Sequence, residues 1–367
     1  MSPSPPLPSS PLSAGGTARP RLLLTCGDPA GIGPEVVCLA WARTPLHAAA
    51  RLRVVGDADM LARCLATRRG LPRVAIVRCA DDDPRLSDPT TLLVVEPPVQ
   101  AAADGPAARG RAAAVAVTTA AEIVRRGGAE AIVTAPLDKS TLHAAGYDVP
   151  GHTELLARAC GLPDEAASMM LWLPTAGERG LGVVHATLHE SLRTAVARLS
   201  TAGIVAAGRR LAGMLPALLG RPPRIAVAAL NPHGGEGGLF GDDESRLVAP
   251  AVAALSAAGL DVEGPLPADT LFVRAHAGRY DGVVALYHDQ GHIPIKLLGM
   301  HRAVNLTLGL PLVRTSVAHG TALDIVGTGT ADPTSMLAAL DAALRLVTAG
   351  WPAVSGGAAP ATSPAAP

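Results

Sequence analysis

The chain has 367 residues, 49% hydrophobic and 17% charged, enough apolar material for one large core or two ordinary ones. Aromatic residues make up only 2%, which leaves that core to Leu, Val, Ile and Ala. Lys and Arg (31) balance Asp and Glu (31), so no basic face advertises nucleic acid, and no apolar run reads as a membrane span.

Residues 1–20 are rich in Pro, Ser and Ala without an apolar h-region, and read as a disordered leader, not a signal peptide. Strand patterns follow at 21–26, 52–55, 74–77 and 131–134. Helical patterns fall at 34–43, with Pro34 near the first turn, and at 107–126. Thr153 reads as the N-cap of a helix running to Cys160. Further helices are expected at 201–219 and 245–258, and a last one from Asp332-Pro333-Thr334 to Val347. Residues 351–367 are Ala/Pro/Gly/Ser-rich and read as a disordered tail. This alternation predicts an α/β protein with a mainly parallel, doubly wound sheet. With no repeat and no long linker, two interleaved α/β/α domains are expected, residues 21–130 plus 305–350 and residues 131–304. Cys26, Cys38, Cys64, Cys79 and Cys160 are scattered and form no CxxC pair, which fits a reduced cytoplasm and disfavours a cysteine zinc site.

Three histidines stand at the exits of short hydrophobic runs: His189 after 181–188, His233 after 224–232 and His288 after 281–287. Each alone reads as an ordinary loop histidine. Three imidazoles at one rim of a parallel sheet would bind a divalent metal and leave a position open for substrate. Asp289 beside His288 would orient it.

Residues 27–35 (GDPAGIGPE) read either as a phosphate loop or as a tight turn whose glycines allow close backbone geometry; they match neither GxGxxG nor a Walker A loop. Gly151-His152-Thr153-Glu154 opens a helix, as an anion site or as plain capping. Lys296, Asn305 and Arg314 lie nine residues apart in an apolar segment and suggest a phosphate or carboxylate clamp.

The run His319-Gly320-Thr321-Ala322-Leu323-Asp324 resembles the adenosine-binding loop of isopropylmalate and isocitrate dehydrogenases. The resemblance implies that His319, Gly320, Thr321, Ala322 and Asp324 hold NAD, with Asp324 on the ribose 2′-hydroxyl. Asp332 stands where those relatives usually carry Asn. The ordered set GDPAGIGPE, TAPLDKS, GHTE, NPHGGEGG, PADTLF, YHDQG and VNLTLGLPLVRTSVAHGTALD is similar to the 4-hydroxythreonine-4-phosphate dehydrogenase family of pyridoxal phosphate biosynthesis, over residues 21–348. This likeness implies the isocitrate/isopropylmalate dehydrogenase-like fold, with the cofactor on the first domain and metal and substrate on the second. It implies one divalent metal (Zn, Mg, Mn or Co) at His189, His233 and His288. It implies substrate contacts from His152, Thr153, Lys296, Asn305 and Arg314, and a cytoplasmic homodimer whose sites draw on both subunits. The reaction implied is oxidation and decarboxylation of 4-phosphooxy-L-threonine to 3-amino-2-oxopropyl phosphate. Lys139 is the expected general base, with Asp269 and Asp289 as alternatives. The stretches 185–192 and 291–296 look more like branches that oxidise D-threonate or D-erythronate 4-phosphate, or aromatic cis-dihydrodiol acids. A metal-dependent hydrolase built on the same histidines is the alternative of another class; it would have no use for the 319–324 loop.

Overall fold

The computed structural model describes residues 19–98, 105–175 and 179–351. The expected leader (but for Arg19 and Pro20) and tail (but for Trp351) lie outside these residues. The elements follow in chain order: β1 (Arg21–Thr25), α1 (Gly33–Arg43), β2 (Arg51–Val55), α2 (Ala58–Thr67), β3 (Ala75–Arg78), β4 (Thr91–Val95), α3 (Pro106–Arg125), β5 (Ala131–Thr134), α4 (Lys139–Ala144), α5 (His152–Ala159), β6 (Ser168–Pro174), β7 (Gly180–His185), α6 (Leu192–Arg198), α7 (Thr201–Leu219), β8 (Ile225–Ala228), α8 (Ala249–Ala257), β9 (Val262–Leu266), α9 (Ala268–His276), β10 (Gly282–Ala285), α10 (His288–Gly299), β11 (Val304–Leu308), β12 (Val313–Val317) and α11 (Thr334–Thr348).

The strands form one sheet of twelve, in the order β3-β4-β2-β1-β5-β12-β11-β6-β7-β10-β8-β9. Most pairings are parallel, as the βα alternation predicts, and their strands are buried Val/Ile/Leu/Ala runs. The antiparallel pairs β12–β11, β11–β6 and β6–β7 lie in the middle. Strand direction therefore reverses where the two parallel halves meet, and that reversal creates the cleft described below. The expected domain boundary at residue 131 falls inside the first half, because β5 pairs with β1 and β12.

α7 departs from the expectation that no apolar run is long enough for a membrane: by length and composition it is. Its Ile204, Leu211 and Leu215 are instead buried in the core, with Leu211 and Leu215 pressed onto Gly182 of β7 and Gly282 of β10. A buried core helix is apolar for the same reason as a spanning one.

The 27–35 loop resolves as a packing device. A Cβ at Gly27 would stand 1.9 Å from the Pro136 carbonyl oxygen, and one at Gly33 2.0 Å from that of Cys26. Only glycine lets the backbones approach so closely. The same device joins α3 to α4, where a Cβ at Gly110 would stand 1.9 Å from the Thr141 carbonyl oxygen. Gly110→Ala gains helix propensity but forces these helices apart. A net loss of about 1–3 kcal/mol is expected, read as a lower Tm; an unchanged or raised Tm would mean that the helices separate freely.

Candidate active site

β7, β10 and β8 are neighbours and parallel, so their carboxyl ends share one edge. His189 lies four residues beyond β7, and His288 is the first residue of α10. Their ring centroids are 5.8 Å apart, and both line a cleft of about 300 Å³. His233 does not join them. Residues 233–237 all take positive φ, from 42° to 80°. Glu244 pins the start of this loop by accepting from the backbone N–H groups of Leu230 and Asn231. The side chain of His233 is 62% exposed, and no set of three metal-binding side chains gathers among the described residues. Within a single chain, then, His233 stands apart from His189 and His288. The sheet delivers all three residues to one rim, but a left-handed glycine-rich loop carries the third outward.

His288 in the cleft and His233 outside it each carry a carboxylate on the ring. Asp289 Oδ1 lies 2.6 Å from His288 Nδ1, and Glu236 Oε1 lies 2.8 Å from His233 Nδ1. A carboxylate on Nδ1 fixes the ring and directs Nε2 outward. Two further histidines crowd the rim. His292 stacks on His288 at 3.8 Å, and its Nδ1 lies 3.1 Å from Nε2 of the buried His185. The sequence places them beside the ligands; only the fold shows them in contact.

The other end of the cleft is built on the antiparallel strands. Register aligns Leu171, Asn305, Ser316 and Thr134 across β6, β11, β12 and β5. Paired residues share a face, and side chains alternate along each strand, so Met169, Thr307 and Arg314 point the same way. Arg314 is only 3% exposed. Its Nε and Nη2 donate to Thr134 Oγ1 at 3.1 and 2.7 Å, and Nη1 to Thr307 Oγ1 at 3.0 Å. No carboxylate among the described residues forms an ion pair with it. Burial lowers its pKa to about 9. A buried cation held only by hydroxyls is costly and calls for an anion. Around it, His152 Nε2, Asn305 Oδ1 and His319 Nε2 are buried without hydrogen-bond partners. Polar atoms left unpaired in one cleft mark a ligand site.

His152, Thr153, Lys296, Asn305 and Arg314 all line this cleft, with Lys139, His319 and Gly320. Thr153 is not the N-cap: α5 begins at His152 with no side-chain cap, which frees Thr153 to face the cleft. Lys139 opens α4 near His189, whose pKa is lowered first by burial and then by Lys139. Asp269 lies in the first turn of α9 and does not line the cleft. Thr321, Ala322 and Asp324 sit outside the cleft on the loop that leaves it. The 27–35 loop braces that loop: Ile32 N–H donates to Thr321 O, and the buried Glu35 accepts from Gly327 N–H and Arg68. Ala322 takes φ 44° and Asp324 is exposed. Thr134, Thr307 and Ser316 escaped the sequence reading; the alternation Val304-Asn305-Leu306-Thr307-Leu308 was the signal.

His152, His185 and His292 are held below the ordinary imidazole pKa, burial being the largest cause in each, with His292 at about 4. Unfolded, they titrate near 6.5. Between those values the unfolded chain binds more protons, so stability falls as pH falls. In EDTA, denaturant unfolding should show a loss of up to about 4 kcal/mol per pH unit between roughly pH 6.5 and 5, and His152→Gln should lower that slope by about one proton. A stability independent of pH in that window would contradict the neutral, buried assignment.

Known proteins resemble this chain over most of its length. The profile described as "Pyridoxal phosphate biosynthetic protein PdxA" matches residues 48–343. The D-threonate 4-phosphate dehydrogenase of Salmonella typhimurium is 43% identical, covering 88% of this chain and 98% of its own. The 4-hydroxythreonine-4-phosphate dehydrogenase of Geobacter metallireducens is also 43% identical, covering 88% and 94%. A crystal structure titled as the 4-hydroxythreonine-4-phosphate dehydrogenase of Klebsiella pneumoniae superposes with a TM-score of 0.76 at 42% identity, over 89% of this chain and 99% of that one. A mainly parallel sheet reversed at its centre, a buried arginine awaiting an anion and a histidine-lined rim therefore stand in a chain that belongs to the PdxA family of pyridoxal phosphate biosynthesis, a family of oxidoreductases.

Proposed function

We propose that this chain is an NAD- and divalent-metal-dependent dehydrogenase of a 4-phosphorylated hydroxy acid, and that it oxidises 4-phosphooxy-L-threonine with hydride transfer to NAD and loss of the carboxylate as CO2, giving 3-amino-2-oxopropyl phosphate. The observation that carries this reading is Arg314, a buried guanidinium whose hydrogen-bond partners are threonine hydroxyls. A phosphate meets its charge and geometry better than any neutral group. Lys296 adds a second cation, and the unpaired atoms of His152 and Asn305 meet the substrate's remaining polar groups. D-threonate 4-phosphate is the second reading. It is supported by the 43% identity to a relative of that name, equal to the identity with the 4-hydroxythreonine-4-phosphate dehydrogenase. The dehydrogenase family sets the hydrolase alternative aside.

The donor set suits a divalent metal in part: His189 and His288 supply two imidazoles, and His288 has its orienting carboxylate. When bound, such a metal would acidify the reacting hydroxyl and stabilise the charge that develops on its oxygen. NAD would accept the hydride, with its adenosine on the 319–324 loop and Asp324 on the ribose 2′-hydroxyl. Lys139 takes the hydroxyl proton. Arg314 and Lys296 fix the phosphate end and so hold the carbinol at the histidine rim. The third ligand is His233 of a second copy. Supporting this, a groove of about 460 Å³ lined by His189, Leu192, Tyr287 and His288 lies beside the cleft. Apolar Leu239, Phe240, Ile293, Leu297 and Val273 are exposed on the loop after His233 and on α9 and α10. Exposed apolar clusters mark association surfaces. Five unpaired thiols suit a reducing compartment, and we assign the cytoplasm.

NADH formation on phosphorylated and dephosphorylated substrates tests the clamp. Arg314→Ala should lower kcat/KM on the phosphorylated acid by about 2–5 kcal/mol and leave the dephosphorylated analogue nearly unchanged. Equal losses on both would make Arg314 structural. Complementation tests the shared site. His189→Ala and His233→Ala should each be inactive alone. When the two are unfolded and refolded together, mixed dimers carry one intact site each, and about a quarter of wild-type activity should return. No recovery would place all ligands within one subunit.

A further inference from the structure

Arg68 directly follows α2 and does not line the cleft. Its guanidinium reaches back to the 27–35 loop. Nη1 donates to the Gly31 carbonyl oxygen at 2.8 Å and to Glu35 Oε1 at 3.1 Å, and Nη2 donates to the Pro29 carbonyl oxygen at 2.8 Å. The Glu35 side chain is fully buried, and the same Oε1 accepts from Gly327 N–H at 2.9 Å. Its other oxygen is buried without a hydrogen-bond partner. One carboxylate oxygen therefore ties α1, the turn after α2 and the loop that begins at His319. Two close approaches seat that loop between the same walls. A Cβ at Gly31 would stand 2.9 Å from Thr321 O, and one at Gly70 3.1 Å from Gly329 Cα. The loop needs this outside support, because Ala322 within it is held in the left-handed region.

Resting on the reading of residues 319–324 as the NAD loop, we infer that Arg68 is a positioning residue for the cofactor. It acts through Glu35. A buried carboxylate without its counter-charge is strongly destabilising. Once Arg68 is removed, Glu35 must turn toward water, and Gly327 N–H loses its acceptor. NAD then has to order the loop as it binds, which weakens its affinity. Lysine replaces Arg68 only in part. Its point charge can still pair with Glu35, but it lacks the planar fork that also reaches Pro29 and Gly31.

Hydrogen exchange of the full chain without cofactor, and calorimetric titration with NAD and with inorganic phosphate, test this. Arg68→Met should speed exchange across residues 319–329 and leave the strands around Arg314 as protected as in the wild type. It should raise the Kd for NAD about tenfold or more, the loss expected for a hydrogen bond to a charged group. The Kd for phosphate, which probes the Arg314 clamp, should stay unchanged. Arg68→Lys should fall between wild type and Arg68→Met. Glu35→Gln should weaken NAD binding as well, and the double variant should bind no more weakly than the worse single one, because the pair acts as a unit. A merely structural role for Arg68 would speed exchange throughout and raise both Kd values together, and that result overturns the inference. An unchanged Kd for NAD in Arg68→Met overturns it too. A wild type that binds no NAD, with exchange still faster across 319–329 in Arg68→Met, would defeat the NAD reading itself and this inference with it.

Discussion

The burial of Arg314 organises this molecule. A guanidinium almost sealed from solvent must be solvated by protein, and here two threonines on neighbouring strands do it. Hydroxyls satisfy its N–H groups without cancelling its charge. The site therefore keeps a positive potential in a poorly polarisable setting, where it is worth far more to an anion than at the surface. The geometry depends on β5, β12 and β11 lying side by side, so the clamp and the reversal in the sheet are one feature.

That reversal brings the two ends of the cleft together. The parallel half ending in β12 contributes the anion end, and the parallel half beginning at β7 contributes the histidine rim. On the proposed reading, a substrate spanning the antiparallel strands would be held at its charged end with its reacting carbon at the other. The loop bearing residues 319–324 leaves the same region and is braced by Ile32, Glu35 and Arg68. The 27–35 glycines, which invite a phosphate-loop reading, serve this brace.

The three strand-exit histidines part company in the fold. His189 and His288 reach the cleft, while five successive left-handed residues turn His233 and its carboxylate partner to solvent. Non-glycine residues at positive φ are strained. His233 and Glu236 both carry that strain, and it holds their side chains outward.

Composition and periodicity alone determined the α/β class, the parallel pairing and most helix positions, because buried parallel strands and amphipathic helices write their periods into the sequence. The histidines at the strand exits were legible as candidates too, since His189, His233 and His288 each close an apolar run. The long ordered motifs made the family recognisable. Tertiary structure alone decided which of these residues meet. Asn305 and Arg314, nine residues apart, share a face only because β11 and β12 pair in one antiparallel register. Thr134 reaches Arg314 across 180 residues. His233 parts from its partners through backbone dihedrals that no spacing rule reveals. His185 and His292 lie 107 residues apart and become a pair only when β7 packs against α10. Local periodicity follows from the chain's own geometry; these meetings follow from register and packing, which depend on residues far apart in sequence.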